Sequence, residues 1–422
     1  MPGYFMRLFR FLFLFLLFSL TLSASSKEEI KNKIENILSR LPFTTKAGIL
    51  ILNPLTEDTL YSLNHTASMI PASNTKLFTT ATAVSVMGGD FVLSTKLLCD
   101  DKNINDGTID GNLYLKGYGN SVFTEEDLQA MIEELKDKGI KKITGKIIGD
   151  DTYFDNVYTR DDWITDEVAN VKLPPISALV IDRNRKVIQT VRRGRIRNYL
   201  VNIEDPPFYA SSLLRTKLIE SGIEVGSDAE KGITPENVYI ISEKGITLRE
   251  LIKETNKESN NFLAECLFKT IGAVVSGEQG NSFYSTQAII SFISDNGIFS
   301  NGTTVVDGSG ISRFDQVTVG AITGLLEKMY FDIANFDDFY NSLSIAGIDG
   351  TLERRMIGTP AENNFHGKTG TLNGVSSIAG YLSCDNGEDL IVSIFFEFNK
   401  GGARFHRDIQ DSIIEALYSL NQ

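Results

Sequence analysis

Strand patterns stand at both ends of this 422-residue chain, with long helical and mixed stretches between them. Ala47 to Leu52 and Thr59 to Leu63 read as two strands around a turn containing Pro54. Near the other end, Phe365 to Leu372, Val375 to Leu382 and Leu390 to Phe398 read as three more, with Asn373-Gly374 and Asp385-Asn386-Gly387 supplying the turns. Ile30, Ile34 and Ile37 give Lys27 to Arg40 the spacing of an amphipathic helix, and a closing helix is predicted from Asp408 to Leu420. Strands and a helix at each end imply an α+β fold in which one antiparallel sheet is assembled from both termini and covered by helices. Whatever lies between must be inserted into it.

From about Leu97 to about Ser242 the pattern changes to short strands and turns around Gly111, Gly117, Gly119, Gly145 and Gly149, with one clear helix near Glu125 to Lys138. The length favours two or three folded units. The division expected is 1–25 as an export signal, 26–96 together with 243–422 as the main domain, and 97–242 as a smaller inserted α+β domain.

The export signal rests on Arg7 and Arg10 ahead of an apolar block from Phe11 to Leu22, followed by Ser23, Ala24, Ser25 and Ser26. Cleavage near Ala24 or Ser25 is expected; the alternative is an uncleaved anchor extended to Phe5. Net charge −13 excludes long-range attraction to nucleic acid. The one basic run, Arg192-Arg193-Gly194-Arg195-Ile196-Arg197, reads as a solvated hairpin, with a groove for anionic glycan or lipid head groups as the other reading. Three cysteines do not make a disulfide framework; Cys266 reads as core, while Cys99 and Cys384 are left open between pairing and free thiols.

Three short motifs carry chemistry. Pro71-Ala72-Ser73-Asn74-Thr75-Lys76 opens a helical stretch that Gly88-Gly89 ends. Lys76 stands nearly one turn after Ser73, so its amine can reach the Ser73 hydroxyl, and a buried lysine of lowered pKa can take the proton that a free serine keeps. Ser259-Asn260-Asn261 leads into a second helix: Ser259 offers a hydroxyl to relay a proton to a leaving amine, and Asn261 a side-chain amide for substrate backbone. Lys368-Thr369-Gly370-Thr371 lies on a strand before a hairpin, where a lysine can meet a substrate carboxylate and the strand edge can align a peptide. Backbone N–H groups of Ser73 and Thr371 can form an oxyanion hole. Singly, each motif is as well explained by a helix cap or a surface lysine.

Together, S-x-x-K, S-x-N and K-T-G in this order form the penicillin-binding set, and the chain resembles the S13 family of D-alanyl-D-alanine carboxypeptidases/endopeptidases, low-molecular-mass penicillin-binding proteins. Further stretches carry the likeness: Gly111-Asn112-Leu113-Tyr114-Leu115-Lys116-Gly117, Gly149-Asp150-Asp151-Thr152-Tyr153-Phe154-Asp155, Asp307-Gly308-Ser309-Gly310-Ile311-Ser312-Arg313 and Ala346-Gly347-Ile348-Asp349-Gly350-Thr351-Leu352. The resemblance implies a transpeptidase/β-lactamase-like domain and a serine D,D-peptidase that hydrolyses D-alanyl-D-alanine bonds of peptidoglycan peptides through a Ser73 acyl-enzyme, is acylated by β-lactam antibiotics, needs no cofactor or metal, and resides in the periplasm or cell envelope. It implies Ser73, Lys76 and Ser259 as catalytic, and Asn261, Lys368, Thr369, Gly370 and Thr371 as substrate-binding. Peripheral contact with membrane or wall is left open.

Two departures from the family pattern are visible. The separation of Ser73 from Ser259 is short for a family with two nested inserted domains, and the shortfall falls between Gln189 and Asp205; Asn260 replaces the usual aspartate. A serine β-lactamase and a non-catalytic penicillin-binding scaffold are the competing functions. His65, His366 and His406 show no metal-ligand spacing and no serine elbow; His366, two residues before Lys368, either lines the cleft or is packed. Asp307 and Ser309 are read as a structural loop beside the cleft.

Overall fold

The computed structural model describes residues 27–101, 104–163, 173–192 and 195–418; the expected export segment 1–25 lies outside them. The main sheet has six strands in the order Ser344–Ile345, Phe365–Leu372, Val375–Ser383, Asp389–Glu397, Lys46–Asn53 and Asp58–Leu63, so both ends of the chain do build one sheet. Every pairing in it is antiparallel. Leu372 pairs with Val375, which leaves Asn373-Gly374 as a two-residue turn, and Gly374 takes a positive φ of 74° that glycine adopts without steric cost.

Both faces of the sheet are covered, and the alternation of side chains along a strand shows how. On Asp389–Glu397, Ile391 and Phe395 enter the larger core, whereas Leu390, Val392, Ile394 and Phe396 enter a second core on the opposite face. That second core is closed by the helix at 27–38 and by Gly402–Tyr418. The larger core contains the helices Thr75–Met87, Asn261–Ser276 and Val319–Tyr330. Thr75–Met87 is buried continuously from Thr75 to Val84, which makes it the central rod of the molecule rather than an amphipathic surface helix.

Between Val92 and Thr247 a five-stranded sheet runs in the order Ala229–Lys231, Ile147–Asp150, Leu113–Tyr118, Val92–Cys99, Tyr239–Thr247, with its own core. Glu125–Asp137 packs on it, started by a reciprocal capping box between Thr124 and Asp127. A second helix, Pro206–Glu220, corrects the expectation of one. Pro206-Pro207 looks like a break in sequence, but proline at a helix's first turn costs no hydrogen bond, and the Asp205 side chain caps it by accepting from the Phe208 N–H. The closing helix also begins earlier than predicted, at Gly402.

Of the basic run, Arg192, Arg195, Ile196 and Arg197 belong to an antiparallel hairpin, Arg185–Arg192 with Arg195–Asn202, whose residues 186–192 and 195–200 are all solvent-exposed; Arg193 and Gly194 lie outside the described residues. Cys99, Cys266 and Cys384 are free and buried, and Cys99 and Cys384 sit in different cores, so they do not pair. Among the described residues no helix is long and apolar enough to cross a membrane.

Candidate active site

Ser73 sits in a 3₁₀ turn, Ala72–Asn74, that runs directly into the helix Thr75–Met87. Ala72 takes a left-handed φ of 49°, a costly conformation for a residue with a side chain, and three contacts hold the turn in place. The Ser377 hydroxyl donates to the Pro71 carbonyl at 2.6 Å, and the Asn74 amide donates to Ser377 Oγ at 2.8 Å, tying the turn to the sheet. Gly370 lets the strand approach: a Cβ there would lie 2.7 Å from Pro71 O and 3.0 Å from the Ser73 backbone nitrogen. The strand bearing Lys368 and the turn bearing Ser73 are therefore in backbone contact.

Lys76 is fully buried and donates to Ser73 Oγ at 3.0 Å, Asn261 Oδ1 at 2.7 Å and the Ser309 carbonyl at 2.6 Å. Burial lowers its pKa from the ordinary lysine value to about 8, against the opposing pull of Asp307, Glu265 and Asp315. Of those three, Glu265 and Asp315 are residues that the sequence did not mark, whereas Asp307 was read as part of a structural loop. Asp307 accepts the backbone N–H groups of Ser309, Gly310 and Ser312, which shapes the loop whose carbonyl holds Lys76, as expected for a structural loop. Asp315 accepts from Thr75 Oγ1 at 3.1 Å and from the Val306 N–H at 2.7 Å; burial, and then Asp307, raise its pKa well above the carboxylate range. Glu265 accepts from the Gly308 N–H at 3.1 Å, and burial lifts its pKa to about 8. Its signal was present in the sequence, since Glu265 lies four residues after Asn261 on one helix and thus on the same face.

Ser259 also holds a left-handed φ, 51°, and is not the cap of the helix that follows. That part falls to Asn260, whose side chain accepts from the Leu263 N–H at 3.2 Å, a task a neutral amide performs as well as a carboxylate. Relieved of capping, Ser259 Oγ accepts from Lys368 Nζ at 2.8 Å. Lys368 is fully buried, donates also to the Thr369 carbonyl at 2.8 Å, and has its pKa held well below the lysine range by burial and by the like charge of Lys76. Thr369 Oγ1 donates to Thr351 Oγ1 at 2.8 Å, a partner no local pattern announces.

The structure thus brings the eight marked residues together as two hydrogen-bonded sets, Ser73 and Asn261 on Lys76 and Ser259 on Lys368, with Thr369, Gly370 and Thr371 along the strand of Lys368 and Gly370 packed against the Ser73 turn. On the outer side of that strand, Ser344 and Ile345 pair only with Gly367 and His366; among the described residues no strand covers the edge from Lys368 onward. His366 stacks on Tyr340 with ring centroids 4.3 Å apart and is packed.

A helix-covered antiparallel sheet with a serine–lysine pair at the head of the buried central helix, faced by a second serine and a strand-borne lysine, is the layout of the penicillin-recognising serine hydrolases. Within that class the chain belongs to the D-Ala-D-Ala carboxypeptidase 3 (S13) family, whose model matches residues 30–198 and 191–419. The two matched stretches overlap inside the exposed hairpin. A D-alanyl-D-alanine carboxypeptidase of an Actinomadura species is 27% identical over 441 residues, covering 88% of this chain and 81% of that protein. The D-alanyl-D-alanine carboxypeptidase DacB of Haemophilus influenzae is 24% identical, over 87% of this chain and 88% of its own length. The crystal structure of penicillin binding protein 4 from H. influenzae superposes with a TM-score of 0.78 at 23% identity, covering 91% of this chain and 98% of that one.

Proposed function

We propose that this chain is a serine D,D-peptidase that cleaves D-alanyl-D-alanine bonds of peptidoglycan peptides, with Ser73 as nucleophile. The observation that carries the reading is the desolvated Lys76 amine held against Ser73 Oγ. Burial brings the Lys76 pKa down to about 8, the direction a general base working near neutrality requires. Lys76 takes the Ser73 proton as Ser73 Oγ attacks the carbonyl carbon. Backbone N–H groups of Ser73 and Thr371 receive the developing oxyanion. Ser259, bonded to Lys368, gives its proton to the departing amine as the peptide C–N bond breaks and regains the proton that Lys76 took, leaving the acyl-enzyme and a neutral Lys76; water then attacks the acyl carbon, its proton passing through Lys76 back to Ser73 Oγ as the acid is released. Lys368 receives the terminal carboxylate, Asn261 the acyl-side backbone, and the open edge from Lys368 to Thr371 aligns the peptide as an added strand.

The same acylation fits β-lactams, and one solved relative of this fold, penicillin binding protein 4 from H. influenzae, is complexed with a β-lactam. We further assign the chain to the exported proteins of the cell envelope, on the basic and apolar pattern of residues 7–22 and the small residues after it. Residues 97–242 act as an inserted domain, in which the exposed hairpin occupies the place of the shortfall.

The test is release of D-alanine from a peptide ending in D-alanyl-D-alanine, by wild type and by Ser73→Ala, alongside a chromogenic cephalosporin. Release that vanishes in the variant, with little cephalosporin turnover, supports the reading. Fast cephalosporin turnover without D-alanine release replaces it with a β-lactamase.

A further inference from the structure

A file of three hydroxyls links Thr369 to the segment that precedes Ser259. Thr369 Oγ1 donates to Thr351 Oγ1 at 2.8 Å, the Thr351 and Ser344 hydroxyls lie 3.3 Å apart, and Ser344 Oγ donates to the Lys257 carbonyl at 3.3 Å. Lys257 closes the helix Leu248–Lys257 and stands two residues before Ser259. The contact of Lys368 with Ser259 is thus one tie between that segment and the strand, and the hydroxyl file is a second, beginning at the next residue of the strand. Local backbone holds Thr351 in place. Gly350 has a φ of 57°, and a Cβ on it would lie 2.6 Å from Lys257 O, so glycine is what lets the short turn Gly350–Leu352 come this close. Asp349, just ahead of it, pairs with Lys257 Nζ and accepts the Ile345 N–H at 2.9 Å, and the Thr351 N–H donates to Ser344 Oγ at 3.2 Å.

Each hydroxyl has one proton to give. The Lys257 carbonyl can only accept, and this fixes the sense of the file: Ser344 gives to Lys257 O, Thr351 to Ser344, and Thr369 to Thr351. The Thr369 proton is therefore committed to Thr351 and not to the cleft. A carboxylate received by Lys368 lies beside Thr369 and is the stronger acceptor, but once Thr369 turns its proton that way its oxygen is left in need of a donor. Thr351 supplies one by turning its own proton from Ser344 to Thr369. The bond released, at 3.3 Å, is longer than the usual O–H···O range, and the bond kept, at 2.8 Å, lies within it. Ser344 still accepts from the Thr351 N–H and still donates to Lys257 O, so nothing in the file is orphaned.

We propose that Thr351 is a positioning residue for recognition of the substrate's terminal carboxylate: its hydroxyl accepts from Thr369 in the free enzyme and donates to Thr369 once the carboxylate is bound, with no proton changing owner. This deepens the hydrolase reading and rests on it. The test is calorimetric titration of a peptide ending in D-alanyl-D-alanine into the Ser73→Ala protein, with and without Thr351→Val, Thr351→Ser and Thr369→Val, alongside steady-state kinetics of the same changes with Ser73 intact. Thr351→Val should weaken peptide binding and raise KM by roughly three- to tenfold, the range of one hydrogen bond, and leave kcat nearly unchanged. Thr351→Ser, which keeps the hydroxyl, should restore both. In a Thr369→Val background Thr351→Val should add almost nothing, because the group it acts through is already gone. A residue that merely held the strand would behave otherwise: Gly370 packs on the Ser73 turn, so a displaced strand would lower kcat as well. Unchanged binding in Thr351→Val, a fall in kcat, no rescue by serine, or an undiminished effect in Thr369→Val overturns the inference. The calorimetric loss in a protein whose Ser73 form cleaves nothing keeps the inference and overturns the hydrolase reading. A peptide neither bound nor cleaved overturns both.

Discussion

The two lysines of the cleft are equally buried yet stand in opposite electrical surroundings. Behind Lys76 lie Asp307, Glu265 and Asp315, which partly offset the cost of its burial and leave its pKa at about 8. Lys368 has no such backing; burial and the charge of Lys76 act in the same direction and drive its pKa well down. The difference suits the two tasks proposed for them. A general base should be poised near the working pH, which the carboxylate cluster arranges from behind the helix. A carboxylate receptor is best left short of negative charge until the substrate brings it, so that binding and proton uptake by Lys368 are coupled.

Removing each lysine sharpens the contrast. Lys76→Met should cut the rate of acylation by roughly 10²–10⁴-fold, the range for a positioned acid–base group, with substrate affinity nearly retained. Lys368→Ala should act mainly through KM, by roughly 10- to 100-fold, as expected for loss of hydrogen bonds to a charged group. A fall in kcat as deep as that of Lys76→Met would erase the distinction between them. Peptide binding to the Ser73→Ala protein should take up protons, visible as a heat that varies with the ionisation enthalpy of the buffer, and should weaken as pH rises.

The cluster behind Lys76 gives subtler effects. Asp307 raises the Lys76 pKa, so Asp307→Asn should lower it further and move the acidic limb of the pH–rate profile to lower pH. An unmoved limb would mean that another group titrates. Glu265 is raised from 4.5 to about 8, so it binds protons more tightly folded than unfolded. Its contribution to stability is whole below pH 4.5 and is lost as pH rises through about 8. Glu265→Gln should therefore flatten the decline of Tm between pH 5 and 8 while changing activity least of all.

Much of this was legible in the sequence because it is local. The end strands are set by alternation and by Asn373-Gly374, and Phe365–Leu372 falls where its pattern puts it. Ser73 and Lys76 are one turn apart whatever surrounds them. What escaped depends on distant partners: Thr351 meets Thr369 across the fold, and Asp307 and Asp315 matter to Lys76 only because their loop packs on its helix. The start of the closing helix was obscured by Gly401 and Gly402, both at positive φ, ahead of a turn whose His406 is buried and stacked on Phe398. The left-handed backbone at Ala72 and Ser259, two residues that ordinarily avoid it, is imposed by the packing of turn on strand and leaves no trace in composition.

The central claim is that Ser73 becomes acylated. Intact-mass spectrometry of the protein after exposure to benzylpenicillin tests it most directly, with Ser73→Ala as the control. A stable gain of one penicilloyl group on the wild type and none on the variant is the predicted result. An unmodified wild type with the drug intact, or an adduct that survives in Ser73→Ala, would contradict it.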